Sequence, residues 1–363
     1  MKILYIIINC LCFSFIYGQL SIPIIKANKN KANIYIDNEH ISNWRINPKI
    51  GLDTYKLNKS PYEKLINFKT DIDSINFSLK PDSYFDFIIL FEGDSCLTRI
   101  QSPPLKNYHD ILPEIHDTIP FFLTENNNII IKSKVNNINV DLMFDSGATN
   151  LNLDKKFINK HIISNKEKLS LIIGKSKIDS ISYMSSEESA HHSEGNFGWN
   201  IFDGKILEID YKNKIFIIHS KLSDFREYYA YPINYTYGLF SIKLNYSIEK
   251  NKYYNSNFMV DTGFQKNIVF DQKILEQLNF SPKKLKINKS SFLTNSSGNR
   301  IELKNINTIS FLLGNGIKNI ESLLLNTNEI PNPAHYNTHI LGNEILKNYQ
   351  IIFDFQNNNM YIK

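Results

Sequence analysis

Cysteine is scarce in this chain. Of its 363 residues three are cysteines, and two of them, Cys10 and Cys12, fall within the first dozen positions. If that segment is removed, Cys96 alone remains, which excludes an internal disulfide and a cysteine-based zinc site. Tryptophan is as sparse: Trp44 and Trp199 are both expected as core anchors. A block of one charge is lacking too. The 41 Lys and Arg are spread among 36 Asp and Glu, so a nucleic-acid footprint is not indicated.

What is present favours strands. Apolar residues make up 42% of the chain and aromatics 13%, enough for sizeable cores, and Ile, Tyr and Phe suit sheets better than helices. Met1-Lys2, the apolar stretches 3–8 and 11–16, and Tyr17-Gly18 ahead of polar sequence form a pattern too short to span a membrane. It fits an export signal over 1–18, which predicts a periplasmic or extracellular protein. Residues 19–112 carry short apolar runs between turn-like polar stretches, as in a small β-sandwich-like accessory domain. Pro103-Pro104 and Pro113 mark a linker.

The remainder contains an internal repeat. The apolar run 140–144 leads into Asp145-Ser146-Gly147-Ala148-Thr149, and 258–260 leads into Asp261-Thr262-Gly263. Later in each copy an apolar segment ends in glycine: Phe197-Gly198, preceded by Asn196, and Ile340-Leu341-Gly342. Asp210 stands twelve positions after Gly198, and Asp354 twelve positions after Gly342. Asp210 and Asp354 each open an Asp-x-x-Asn segment suited to a turn between strands. Residues 119–220 and 233–363 therefore read as two copies of one β-rich unit. Asp followed by Ser or Thr also occurs at Asp53, Asp73, Asp82, Asp94, Asp117 and Asp179, never with glycine next.

Paired Asp-Ser/Thr-Gly triplets, each with a later apolar-Gly segment, resemble the aspartic peptidases of the pepsin and retropepsin type. The resemblance covers about 119–363 and implies a bilobal, mainly β, double-barrel module. It assigns Asp145 and Asp261 as the catalytic pair, with Ser146, Gly147, Thr149, Thr262, Gly263, Gly198 and Gly342 supporting the loops. It implies peptide-bond hydrolysis in a protein or peptide substrate, with no metal or other cofactor. Both aspartates lie in one chain, so a monomer with two internal lobes suffices. Amide hydrolysis needs a nucleophilic water and a protonated leaving nitrogen. Two carboxyls about 3 Å apart cannot both ionise, so they share a proton and can supply both.

Two departures keep a rival open. Phe264 and Gln265 stand where the family has a small residue and then Ser or Thr, which is compatible with a catalytically inactive peptide- or protein-binding protein of the same fold. Relatives of the gastric type commonly carry a hydroxyl at the third position after each aspartate. Ala148 and Phe264 offer none, which predicts raised carboxyl pKa values and a working pH nearer neutral. A flap is expected between Asp145 and Gly198, with 178–184 and Ser185-Ser186-Glu187-Glu188 as strand and tip. Tyr183 reads either as the flap aromatic or as a strand tyrosine of the core. His191-His192 with Glu187, Glu188 and Glu194 suggests a metal cluster only weakly, because adjacent strand residues face opposite ways. His335 and His339 are expected in a loop, since Pro331 and Pro333 oppose a helix.

The export reading predicts that protein recovered outside the cytoplasm begins near Gln19. Intact mass spectrometry checks this; retention of residues 1–18 would remove the argument for a single-cysteine chain.

Overall fold

The computed structural model describes residues 22–161, 168–187, 192–221, 226–282, 285–294, 300–326 and 337–363. The expected export segment 1–18 lies outside the described residues, as do Glu188, His191, Pro331, Pro333 and His335. Strands hold 56% of the chain and helices 7%, so sheets position every candidate functional side chain. The chain divides into two compact units. One runs to Leu57 and from Glu63 to Ser102; the other takes Asn58–Tyr62 and Pro103–Lys363. The boundary falls at Pro103-Pro104.

The first unit contains β1 (Ile24–Ala27), β2 (Lys31–Ile36), β3 (Glu39–Arg45), β4 (Asp53–Lys56), β5 (Lys64–Lys69), β6 (Ser74–Leu79), β7 (Tyr84–Phe91) and β8 (Asp94–Gln101). They form two four-stranded sheets, ordered β1-β7-β8-β4 and β3-β2-β5-β6. Alternation along the strands turns Ile34, Ile66 and Phe68 of one sheet and Phe87, Ile89 and Ile100 of the other into a common core. Phe68 meets Phe87 edge-on at 4.9 Å between ring centres. Cys96 is buried as a free thiol, and Trp44 packs against the same core. Two four-stranded sheets share this core, so the unit is a small β domain.

In the second unit the first repeat contains β9 (Ile115–Pro120), β10 (Phe122–Leu123), β11 (Ile129–Val135), β12 (Ile138–Phe144), β13 (Leu151–Asp154), α1 (Lys155–His161), β14 (Leu169–Ile173), β15 (Ser176–Ile181), β16 (Tyr183–Ser186), β17 (Gly195–Phe197), β18 (Ile206–Asp210) and β19 (Ile215–His219). The second contains β20 (Tyr229–Pro232), β21 (Asn234–Thr236), β22 (Leu239–Glu249), β23 (Lys252–Asp261), β24 (Ile268–Asp271), α2 (Gln272–Gln277), β25 (Lys289–Thr294), β26 (Arg300–Leu312), β27 (Ile317–Leu325), β28 (His339–Gly342), α3 (Asn343–Leu346), β29 (Ile351–Asp354) and β30 (Asn359–Ile362).

The two repeats share one strand pattern. β12 runs parallel to β17, β17 antiparallel to β13, and β13 parallel to β16. Likewise β23 runs parallel to β28, β28 antiparallel to β24, and β24 parallel to β27. Met143 pairs with Asn196 as Met259 pairs with Ile340, so Asn196 and Ile340 occupy matching places. The second repeat closes into a six-stranded barrel, because β22 pairs with both β23 and β26. The first curls only part of the way, with β11 and β14 joined and no described ladder between β14 and β16.

A shared sheet, ordered β20-β30-β29-β18-β19-β9, joins the repeats, with β18 and β29 antiparallel at its centre. The Asp-x-x-Asn segments form the turns expected of them. Asp210 accepts from the backbone and side-chain amides of Asn213, and Asp354 accepts the same pair from Asn357. Lys214 and Asn358 follow with the same positive φ of 57°. One core runs through both repeats, from Phe144, Phe197 and Phe216 to Phe258, Phe270 and Phe353.

His339 does not lie in a loop. It sits in β28, fully buried against Phe258 and Phe270. The prolines opposed a helix but were silent about a strand beyond them. Its Nδ1 accepts from the Asp271 amide at 3.0 Å, which leaves Nε2 to donate to the Tyr246 hydroxyl at 3.1 Å. Burial pushes its pKa down to about 3. The unfolded chain then binds a proton that the folded chain refuses, so stability is lost as pH falls from about 6.5 towards 3. We expect wild type to lose more thermal stability than His339→Gln between pH 7 and pH 4, measured by calorimetry. Parallel losses would show that this ring does not set acid tolerance.

Candidate active site

Asp145 follows the last residue of β12, and Asp261 is the last residue of β23. Both strands are driven into the core by apolar residues, Leu142 and Phe144 in one and Phe258 and Val260 in the other, so each chain emerges from the core at its aspartate. The two loops come together, and each carboxyl lies against the glycine of the other repeat's loop.

The loops lock reciprocally. The Ser146 amide donates to Thr262 Oγ1, and the Thr262 amide donates to Ser146 Oγ, both at 2.9 Å. Ser146 Oγ donates to the Val260 carbonyl at 2.7 Å, and Thr262 Oγ1 to the Phe144 carbonyl at 3.2 Å. Both hydroxyl residues are fully buried, so loss of either would strand an amide and a carbonyl away from water.

The glycines are reciprocal as well. A Cβ on Gly147 would lie 2.6 Å from the Asp261 carboxyl carbon, and one on Gly263 would lie 2.5 Å from that of Asp145. Each glycine therefore makes room for the other repeat's carboxyl. Gly198 and Gly342 brace the loops from behind, where a Cβ would lie 2.1 Å from the Ala148 and Lys266 carbonyls respectively. Thr149 packs against Gly238, whose φ of +78° favours glycine.

Donors to the carboxyls are distributed unequally. The Gly147 amide donates to Asp145 Oδ1 at 2.9 Å, and Asn196 Nδ2 donates to Asp145 Oδ2 at 3.0 Å. On Asp261 the Gly263 and Phe264 amides both donate to Oδ1, at 3.0 and 2.9 Å. Burial, opposed by these bonds, holds the Asp145 pKa above the ordinary carboxylate range. Burial and then the neighbouring Asp145 charge raise that of Asp261 as well. Ala148 and Phe264 bring no side-chain donor, as expected, but Asn196 supplies one to Asp145 and the Phe264 backbone one to Asp261.

The two departures in the second loop are built into its packing. The Phe264 ring joins a small apolar cluster with Val269, Leu303, Leu323, Leu325 and Ile340. Gln265 Nε2 donates to Asn128 Oδ1 at 2.9 Å, so it ties the second loop to the first repeat. Beside it Asn127 bonds to the Gln265 carbonyl and to Glu344, while Asn343 bonds to the Asn127 carbonyl and accepts from Tyr211. Sequence reasoning missed this network because asparagine is too frequent here to stand out. The Asn196–Ile340 mismatch between the repeats was the one available signal for Asn196.

Tyr183 opens β16, which pairs with β13, and is half-buried against the main core. A separate hairpin, β25–β26, belongs to the second repeat. Of the weak metal cluster, Glu187 pairs with Lys155, Glu194 accepts from the Asp141 amide, and His192 lies 3.4 Å from Glu125. The described members are thus engaged separately. No protein-family model matches the chain, and no curated protein matches it in sequence.

Because the folded pKa of Asp261 is raised, its contribution to stability is present below about pH 4 and is lost as pH rises through the raised value. Asp261→Asn should therefore melt about 2–5 °C above wild type at pH 7, with the gain fading by pH 4. Calorimetry across that range checks it, and a lower melting point at pH 7 would contradict it.

Proposed function

We propose that this protein is an exported aspartic endopeptidase that hydrolyses peptide bonds in protein or peptide substrates. The observation that carries the reading is the reciprocal pairing of two Asp-hydroxyl-Gly loops, each glycine seated against the other repeat's carboxyl. The resemblance of the two triplets to those of pepsin- and retropepsin-type peptidases supports it, and so does the elevated affinity of the pair for a proton.

One carboxylate takes a proton from water, whose oxygen attacks the substrate carbonyl carbon. The other carboxyl gives its proton to the carbonyl oxygen, which forms a neutral gem-diol. The first group, now protonated, passes its proton to the amide nitrogen. The second recovers a proton from a gem-diol hydroxyl as the C–N bond breaks. The products are a carboxylic acid and an amine, and the pair returns to its starting state. Phe264 and Gln265, which favoured a binding protein on sequence grounds, have structural partners, so neither requires the chemistry to be lost.

Asp145→Asn and Asp261→Asn should each lower kcat by about 10³-fold or more, and the double change should cost little beyond either single one. Turnover should survive EDTA and be blocked by a statine-type transition-state analogue. A peptide-library digest, followed by kinetics on a peptide it identifies, checks all three. Full turnover by Asp261→Asn would sink the two-carboxyl mechanism. A wild type that binds the analogue yet cleaves no peptide would be a binding protein.

A further inference from the structure

The two carboxyls are not equivalent, and the difference originates outside the loops that carry them. Asn196 lies in β17 and Ile340 at the matching place in β28. Asn196 reaches Asp145 Oδ2; Ile340 instead joins the apolar cluster around Phe264. Both oxygens of Asp145 thus accept an N–H, one from Gly147 and one from Asn196. Asp261 receives its two N–H donors on Oδ1 alone. A proton on either oxygen of Asp145 would weaken the bond that this oxygen accepts. A proton on Asp261 Oδ2 displaces none of the donors on that carboxyl.

We propose that Asn196 is a positioning residue that keeps Asp145 ionised as the general base and so assigns the shared proton to Asp261 as the general acid. This rests on the reading of the pair as a peptidase dyad. Among the described residues the titratable group facing Asp145 is Asp261, across the dyad. Asn196 from β17 and the amides of the Asp145 loop are neutral. On the other side Asp261 faces Asp145 and the neutral amides of Gly263 and Phe264. A hydrogen bond to the charged form lowers a carboxyl pKa, so the asymmetry follows from geometry.

The test replaces Asn196 by the residue of the other repeat. Asn196→Ile should move the acid limb of kcat/KM upward by about one pH unit, since a charge-assisted bond to the base is lost. The mirror change, Ile340→Asn, should bring a donor to Asp261 and lower the basic limb. The carboxyl ¹³C shifts of Asp145 and Asp261, titrated in wild type and Asn196→Ile, give a readout that needs no turnover. Asp145 should titrate below Asp261 in wild type and rise in the variant. If Asn196→Ile melts early, Asn196→Ala serves in the same titration. An unmoved limb and unmoved shifts would make Asn196 merely structural, and a downward shift would mean that its amide oxygen faces a protonated Asp145. Either result overturns the proposal. A wild type that cleaves nothing and binds no statine-type analogue removes the peptidase reading instead, and the ¹³C titration still decides where the proton sits.

Discussion

Everything at the candidate site depends on the exchange of hydrogen bonds between Ser146 and Thr262. Two carboxyls that each retain a high affinity for a proton repel one another once both are charged, so something other than their own attraction must hold them together. The exchanged bonds do this from beneath: each hydroxyl accepts the other loop's amide and donates to a carbonyl of the other loop's strand. Six groups that burial would leave unsatisfied satisfy one another through four bonds, and neither repeat can complete the set alone. The glycines then let the carboxyls close to contact.

Around that lock the second connection between the repeats is polar and one-sided. Gln265, Asn127, Asn128, Asn343, Glu344 and Tyr211 form a chain of bonds that fastens the second loop to the first repeat. On the other side Trp199 donates to the Gly238 carbonyl at 2.9 Å and packs on Phe240 and Phe355. Matching places therefore hold a tryptophan in one repeat and an asparagine in the other. The duplicated unit has diverged towards an apolar clamp on one flank and a hydrogen-bonded clamp on the other.

The parts of this arrangement that were legible in the sequence are those set by backbone geometry. Glycine after a hydroxyl residue at the end of an apolar strand marks a close approach, and the Asp210 and Asp354 turns follow from a side chain that bonds its own backbone. Matching spacing revealed the repeat for the same reason. What stayed hidden depends on which distant residue lies opposite. The partner of Gln265 is 137 positions away, and nothing local distinguishes Asn128 from other asparagines. His339 was misplaced because its burial comes from Phe258 and Phe270, not from its neighbours in sequence. The closure of one barrel and the opening of the other depend on the β22–β26 pairing, which likewise joins strands far apart.

The shared sheet has a consequence in time. Its central pair joins β18 to β29, and β29 is flanked in turn by β30. Asp261 is backed by β28, which follows it only after α2 and four further strands. A chain made from its N-terminus thus exposes both aspartates well before the strands that brace the second one exist. Until β28 is inserted, the Asp261 loop has no floor and the two carboxyls have no fixed separation. The separation of the two carboxyls therefore depends on nearly the whole of the second repeat.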